Sequence, residues 1–206
     1  MRKPDKIRLI FYVLAVCAAL AYPVKKILSF ERPAIPPKLY LFETEIYDPY
    51  DPMRGRYVRL NFKQNRVRLP QKNMRLMEWR SGNSCFAVLE KNPDGTTRIA
   101  DLVTDVKQVP DGKDFLRVRY SHFQWDFDKT THKQEKTGVH LIQLPFDRFY
   151  LNESLAPEAE REVQANTRKG KAHLRVKIYG NGNFAVDDLI VDGKPILERL
   201  RDTASK

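Results

Sequence analysis

The sequence contains few of the residues from which disulfide frameworks and metal sites are built. It has two cysteines, Cys17 and Cys85, which are too few for a disulfide framework. Its four histidines lack the spacing of metal ligands, so we interpret each as a surface or strand residue and expect no metal site. They are His122, His132, His140 and His173.

Catalytic motifs are also missing, since the chain has neither a recognisable nucleophile with a base nor an evident pair of catalytic carboxylates. Signal peptidases likewise join an N-terminal anchor to a β-rich domain, but they need a serine just after the anchor and a lysine downstream. Ser29 is the only serine before Ser81, and no such motif surrounds it. We therefore expect a protein that is not an enzyme and needs no cofactor.

The positive charge is not concentrated as nucleic-acid binding requires. The formal net charge is +11, but the first 26 residues hold six basic residues and one acidic residue, so five of these charges belong there. Elsewhere basic residues are interleaved with acidic ones. This pattern is typical of a generally cationic surface, and it favours a weak attraction to anionic lipid over nucleic acid.

The N-terminal stretch is predicted to engage a membrane. Uncharged, mostly apolar residues run from Leu9 to Val24, with basic residues on both sides. They would span about 24 Å as a helix, against a hydrocarbon core of roughly 30 Å, and neighbouring apolar residues can lengthen them. Ala19-Leu20-Ala21 also satisfies the cleavage rule of a signal peptide. We favour an uncleaved anchor at residues 1–28, with the following domain on the extracytoplasmic side.

A proline-rich connector is predicted at residues 29–38, and one β-rich domain at residues 39–206. Its first strand should bury alternate side chains, and Asn92-Pro93-Asp94-Gly95 favours a hairpin between SCFAVLEK and TRIADLVTDV. The alternating residues of the first strand are Tyr40, Phe42, Thr44 and Ile46.

Three patterns follow in the second half of the domain. Phe123, Trp125 and Phe127 share one face of a strand and are expected in the core, with a stacking surface as the alternative, while KTTHKQEKTG is predicted to be an exposed loop. A helix is predicted within residues 154–167, capped by Ser154. In the last pair of strands, a change of phase after Val186 indicates a bulge at Asp187-Asp188.

The expected fold class is therefore mainly β. We predict a compact antiparallel domain, either a sandwich or a partly open barrel, with one substantial helix. An N-terminal transmembrane helix precedes it.

The segment GRYVRLNF, residues 55–62, is explained largely by strand formation. Val58, Leu60 and Phe62 lie on one face, and the intervening residues lie on the other. Gly55 can adopt a positive φ where the preceding loop enters the strand. The segment is thus interpreted as a turn followed by core positions.

Gly55-Arg56-Tyr57-Val58-Arg59-Leu60-Asn61-Phe62 resembles the signature of the GDYXXLXY family of bacterial membrane-anchored proteins, and the later stretch DLIVDGKPI resembles that family's C-terminal strand. Arg56 replaces the family's Asp, and Phe62 replaces its last Tyr. The resemblance implies a location in the bacterial cytoplasmic membrane and this architecture, but no reaction. Such proteins tend to be encoded beside multi-pass membrane proteins, which implies a partner of that kind.

A second interpretation makes the loop before the motif a binding site. In it, Asp48 and Asp51 meet Arg54 and Tyr57 around a ligand, cation or partner. Losing the family's carboxylate at Arg56 counts against a metal, because a fixed positive charge replaces a hard oxygen ligand.

These observations lead to two functional hypotheses. The first is a membrane-anchored accessory or protein-interaction domain that partners another integral membrane protein. The alternative is an envelope sensor domain that binds a small ligand, a cation or an anionic polymer.

Overall fold

The computed structural model describes residues 3–31, 36–45, 57–69, 80–128 and 133–204. The chain divides into two units, Met1–Pro37 and Lys38–Lys206. In the first unit, helix α1 (Lys3–Glu31) contains the stretch Arg8–Leu28, which is long and apolar enough to cross a membrane. This confirms a candidate membrane helix at the predicted place. Both α1 and the first strand, which begins at Lys38, extend into the stretch assigned to the connector.

The second unit contains two five-stranded antiparallel sheets. The first sheet consists of β1 (Lys38–Glu45), β3 (Asn61–Phe62), β10 (Ala172–Ile178), β11 (Phe184–Val191) and β12 (Lys194–Pro195). The second consists of β4 (Arg66–Val67), β5 (Ser84–Lys91), β6 (Thr97–Val103), β7 (Asp114–Asp128) and β8 (Lys133–Gln143). In the first sheet the spatial order is β12-β11-β10-β1-β3, and in the second it is β4-β8-β7-β5-β6.

A separate two-stranded pair, two α-helices and two short 3-10 helices, Lys63–Asn65 and Val106–Gln108, complete the described part of this unit. The pair consists of β2 (Tyr57–Arg59) and β9 (Arg148–Tyr150). Helix α2 (Ala156–Thr167) packs against β10 and β2, and α3 (Ile196–Ala204) packs against β11 and β12. The fold is mainly β and antiparallel as predicted, although α3 was not expected.

Both sheets contribute to one continuous core, as in a β-sandwich. Alternation explains which residues enter it, because successive side chains of a strand point to opposite faces. Tyr40, Phe42 and Thr44 are buried on β1, as predicted, while Ile46 lies outside the described residues. Cys85 is also fully buried. The predicted hairpin between β5 and β6 is confirmed.

The bulge in the last strand pair is confirmed. Arg175 pairs with Asp188 and Val176 pairs with Val186, so Asp187 is the extra residue. Its carboxylate forms ion pairs with the side chains of Arg175 and Lys177. Partial burial acts to raise the pKa of Asp187, but the hydrogen bonds from these two cations outweigh it and lower that pKa.

Two expectations about the β7–β8 region are wrong. Residues 133–137 belong to β8 and are not loop, because their backbone pairs with the extended end of β7. Phe123 and Trp125 are half-buried and stay outside the main core, and they contact each other with ring centroids 4.8 Å apart. The placement of the Phe127 side chain is outside the described residues.

The predicted helix exists, but Ser154 does not cap it. Helix α2 begins at Ala156, and the capping position is occupied by Leu155, which makes no side-chain capping bond. Ser154 instead donates from both its backbone nitrogen and its hydroxyl to the Asn152 side chain, at 3.3 Å each. A turn that begins at Asn152 therefore precedes the helix and displaces its start.

Candidate functional site

The strand of the family-like motif has the predicted two faces. Val58, Leu60 and Phe62 are at most 5% exposed, whereas Tyr57, Arg59 and Asn61 are half-buried on the opposite face. The alternation expected from the sequence is therefore confirmed for the described part of the motif.

The motif strand changes its partner at Leu60. Before this residue β2 pairs with β9, and after it β3 pairs with β1. The Leu60 backbone nitrogen donates a 2.8 Å hydrogen bond to the Asp147 carbonyl oxygen at the crossing point. Four residues after Phe62 the chain enters β4 of the second sheet. The motif thus lies where the chain passes from one sheet to the other.

The inward face of the motif forms part of an aromatic cluster. The ring of Phe62 packs edge-on against Phe42 and Phe146, with centroid distances of 6.3 and 5.5 Å. Phe42 and Phe146 are themselves 4.9 Å apart. A phenylalanine at position 62 suits this buried environment of aromatic rings.

The outward face forms an aromatic and cationic patch, which we define as Tyr57, Arg148 and Tyr150. Tyr57 lies opposite Tyr150 in the β2–β9 register, with ring centroids 5.9 Å apart. The Arg148 guanidinium lies 4.9 Å from the centre of the Tyr57 ring, and Tyr150 is 67% exposed. The pKa of Arg148 is raised, first by a hydrogen bond between its side chain and Tyr150, and then by electrostatic interaction with the Asp147 carboxylate and Tyr57.

A polar network holds the other end of the motif. The Asn61 side chain donates to Glu45 at 3.3 Å and accepts from the side chain of Asn65 at 2.7 Å. Asn65 in turn accepts a bond from the backbone of Leu144 at 3.4 Å. These bonds tie the motif to both β1 and the segment after β8.

Four of the predicted site residues, together with Arg56, lie outside the described residues. These four are Asp48, Asp51, Arg54 and Gly55. The structure places Tyr57 on the surface patch and buries Leu60 and Phe62. The sequence did not predict that Arg148 and Tyr150 contact Tyr57. Both residues belong to the segment DRFYL, residues 147–151, but the pairing of this segment with the motif is a long-range contact that local patterns do not reveal.

An apolar groove adjoins the patch. It encloses about 610 Å³ between the end of β9, the start of α2, and α3. Tyr150 belongs to both the patch and the groove, so the two surfaces are continuous. The groove is lined by Tyr150, Leu151, Leu155, Leu197 and Leu200, with Glu158 and Arg201 among its polar residues.

The second sheet encloses three groups that can titrate. The hydroxyl of Tyr120 lies 3.3 Å from Nδ1 of His140, and both side chains are almost fully buried, as is Cys85. Burial raises the pKa of the Cys85 thiol to about 12 and lowers the pKa of His140. A thiol protonated at neutral pH and closed to solvent is a packing group with low reactivity.

Within the described residues no group of three or more His, Cys, Asp or Glu side chains is placed to hold a metal ion. His140 is a buried strand residue, His122 is exposed, and His173 is half-buried opposite Glu43. His132 lies outside the described part of the chain.

The model of the GDYXXLXY protein family matches residues 20–189. This chain belongs to the GDYXXLXY family. The match begins within α1 and ends in β11, so it covers the motif and the strands of both sheets up to that point. It stops before β12 and α3, and most of the stretch DLIVDGKPI therefore lies beyond it. No curated protein and no solved structure matches the chain significantly.

Proposed function

We propose that this GDYXXLXY protein is a membrane-anchored interaction domain that partners another integral membrane protein and catalyses no reaction. The observation that carries the proposal is the continuity of the Tyr57–Arg148–Tyr150 patch with the apolar groove. Tyrosine and arginine are enriched at the energetic centres of protein interfaces, where they combine apolar contact area with hydrogen bonding.

The distribution of exposed apolar residues supports this surface over others. Among the described residues of the second unit, the exposed large apolar side chains are Leu39, Val106, Tyr150 and Leu197. Two of these four line one groove, whereas single exposed apolar residues are normal on any protein. The groove is therefore the best candidate for a docking surface on this part of the chain.

The charges at the rim define the partner that we propose. Arg148 and Arg201 carry positive charge beside the groove, and Glu158 is the acidic residue that lines it. The fitting occupant is an apolar segment of an integral membrane protein, flanked by acidic residues and lying outside the bilayer. Such complementarity favours specificity and the rate of encounter, so association should weaken as salt is raised.

Site-specific photo-crosslinking in native membranes tests the proposal. A benzophenone amino acid is placed at Tyr150 or Leu197, and matched controls carry it at Leu39 or Val106, which are exposed elsewhere. We expect one dominant integral membrane partner from the groove positions alone, and the crosslinked peptide should be apolar with acidic neighbours. Equal labelling of bulk membrane proteins from all four positions would overturn the proposal.

The location on the extracytoplasmic side of a bacterial cytoplasmic membrane is a further part of the proposal. Cysteine labelling tests it in intact cells with a membrane-impermeant maleimide. Lys107→Cys introduces an exposed thiol in a Cys17→Ala background, and the buried native Cys85 should stay silent. Labelling of intact cells is expected; labelling only after lysis would place the domain in the cytoplasm.

The sensor hypothesis remains the second candidate, acting through Asp48, Asp51 and their cationic surroundings. The general positive charge supports it. Thermal unfolding of the full-length protein against divalent cations and anionic polymers tests it, since a ligand that binds the folded state raises the melting temperature.

A further inference from the structure

A second pocket lies on the second sheet, apart from the apolar groove. It encloses about 470 Å³, a size typical of small-molecule sites. Its lining is rich in hydrogen-bond donors. They are supplied by Ser84 on β5, Arg117 and Arg119 on β7, and Gln143 at the end of β8.

Strand register brings these side chains together. Arg119 pairs with Ser84 on one side and with Gln143 on the other, so the three residues form a row across β5, β7 and β8. Paired residues project from the same face with neighbouring Cβ atoms about 5 Å apart. Arg117 is two residues from Arg119 and shares that face. Two guanidinium groups and two polar side chains therefore line the same pocket.

Arg117 and Arg119 differ from several cations on the described surface that are paired with carboxylates. Arg98 and Lys113 pair with Glu90, and Arg175 and Lys177 pair with Asp187. In contrast, no carboxylate among the described residues lies within ion-pair distance of Arg117 or Arg119.

Arg117 is nevertheless held in position. Its guanidinium lies 5.4 Å from the ring centre of Phe86, which in turn packs edge-on against Phe115 at 5.8 Å. Stacking of this kind orients the planar guanidinium and leaves its N–H groups available. Part of the ordering cost of binding a ligand is thereby met before the ligand arrives.

The lining of the pocket also carries acceptors. Asp147 lines it, with its carboxylate 3.6 Å from the Arg148 guanidinium, and the Gln143 amide also has a carbonyl oxygen. An anion with no other functional group would meet repulsion from Asp147. A molecule that combines an anionic group with hydroxyl groups would satisfy both the cationic groups and the acceptors.

We propose that this pocket binds a phosphate ester of a small polyol. Arg117 and Arg119 bind the phosphate oxygens through charge-assisted hydrogen bonds, for which the planar fork of arginine is well suited. Asp147 and Gln143 accept hydrogen bonds from the hydroxyl groups. The proposal is independent of the docking function, since Arg117 and Arg119 do not line the apolar groove.

The pocket is connected to the family motif. A smaller cavity of about 140 Å³, lined in part by Arg59 and Asn61, shares Gln143, Leu144 and Asp147 with it. A ligand at Asp147 would therefore lie next to the point where Leu60 is bonded to the backbone of that residue. Phosphate esters of this class occur both as free metabolites and as phospholipid headgroups, and the experiment must separate these sources.

Calorimetric titration of the full-length protein in neutral detergent tests the site. The probes are sn-glycerol 3-phosphate, inorganic phosphate and glycerol. We expect binding of glycerol 3-phosphate and no binding of glycerol. Arg117→Gln and Arg119→Gln should each weaken it by about tenfold or more, whereas Arg168→Gln, which removes an exposed charge after α2, should change it by less than about twofold.

Asp147→Asn provides a second test, in which the expected result is a gain of phosphate binding and not a loss. It should strengthen the binding of inorganic phosphate and reduce the preference for glycerol 3-phosphate over phosphate. The proposal is overturned if glycerol 3-phosphate does not bind, or if the Arg117 and Arg119 variants bind it as well as the Arg168 variant does.

Nanodiscs distinguish the source of the ligand. Glycerol 3-phosphate is titrated into protein in nanodiscs that contain equal fractions of phosphatidylglycerol or phosphatidylserine, which have the same headgroup charge. If glycerol 3-phosphate binds more weakly in the phosphatidylglycerol nanodiscs than in the phosphatidylserine nanodiscs, the phosphatidylglycerol headgroup competes for the site and is the assigned ligand. Equal binding in both lipids would assign it to a soluble ester, and either result supports the shared chemistry.

Discussion

Tyr57 and Tyr150 face each other across the β2–β9 pair, with 5.9 Å between their ring centroids. Tyr57 belongs to the family motif, and Tyr150 is largely exposed on the strand after the second sheet. Phe62, five residues after Tyr57, is fully buried. The motif therefore has an inner face that packs in the core and an outer face that contributes to the surface. The two faces can therefore be tested separately.

Truncation of the inner face should be far more destabilising than truncation of the outer face. Phe62→Ala removes a buried ring that contacts Phe42 and Phe146, and should lower the free energy of unfolding by about 3–5 kcal/mol. Tyr57→Ala should cost less than about 1.5 kcal/mol, because its ring is only half-buried. Urea denaturation of the full-length protein in detergent measures both values. Similar losses for the two variants would contradict the division of the motif into two faces.

Tyr40 forms a hydrogen bond between the two sheets, and its removal should be measurable. Its hydroxyl donates to Asp114 on β7 at 2.6 Å, and Lys38 lies 2.9 Å from the same carboxylate. Burial and the neighbouring Asp114 raise the pKa of Tyr40, so it stays protonated and can donate at alkaline pH. Tyr40→Phe should cost about 1.5–3 kcal/mol, a value typical of a bond to a charged group.

Tyr150 provides the matched control for this variant, because its side chain bonds to Arg148 at an exposed position. Tyr150→Phe makes the same chemical change at a residue that is 67% exposed, and should alter the free energy of unfolding by no more than about 0.5 kcal/mol. If Tyr40→Phe were equally mild, the hydrogen bond to Asp114 would not contribute to joining the sheets.

Local patterns predicted the faces of strands better than their partners. The alternation of Tyr40, Phe42 and Thr44, and the bulge at Asp187, follow from side-chain period alone. The change of partner at Leu60 and the contact between Tyr57 and Tyr150 depend on a pairing across about ninety residues of sequence, which periodicity does not encode.

The wrong predictions also have physical causes. Residues 133–137 are polar and were interpreted as loop, yet backbone hydrogen bonding to β7 makes them a strand whatever their side chains. Ser154 has good capping chemistry, but the Asn152 side chain accepts its hydrogen bonds. Arg117, Arg119 and Gln143 carry no motif; only the register of β7 and β8 places them in one pocket.

The domain should lose stability as the pH falls from 7 to 5, and His140 should be responsible for part of the loss. Burial lowers the pKa of His140. In the folded state His140 therefore becomes protonated only at a pH below about 6.5, the pKa of a histidine in an unfolded chain. The contribution of His140 to stability is therefore fully present above about pH 6.5, and it decreases as the pH falls below that value. Asp187, whose pKa is lowered, titrates below this window.

His140→Gln should reduce this pH dependence, as measured by urea denaturation at a series of pH values. Burial also lowers the pKa of His173, but Glu43 and Asp94 act in the opposite direction, so His173→Gln should remove a smaller part. An unchanged pH profile in the His140 variant would exclude it as a source of acid sensitivity.

Gly138 should resist substitution even by alanine, because an aromatic ring and a backbone atom occupy the space beside it. A Cβ atom there would lie 2.4 Å from Cζ of Phe123 and 2.5 Å from the carbonyl oxygen of Gln124. Gly138→Ala should therefore lower the free energy of unfolding by about 1–3 kcal/mol, the usual cost of overpacking. In a Phe123→Ala background the added cost should be smaller but not zero, since the Gln124 oxygen remains. Full tolerance of Gly138→Ala in the native background would show that β7 and β8 separate more easily than this close contact implies.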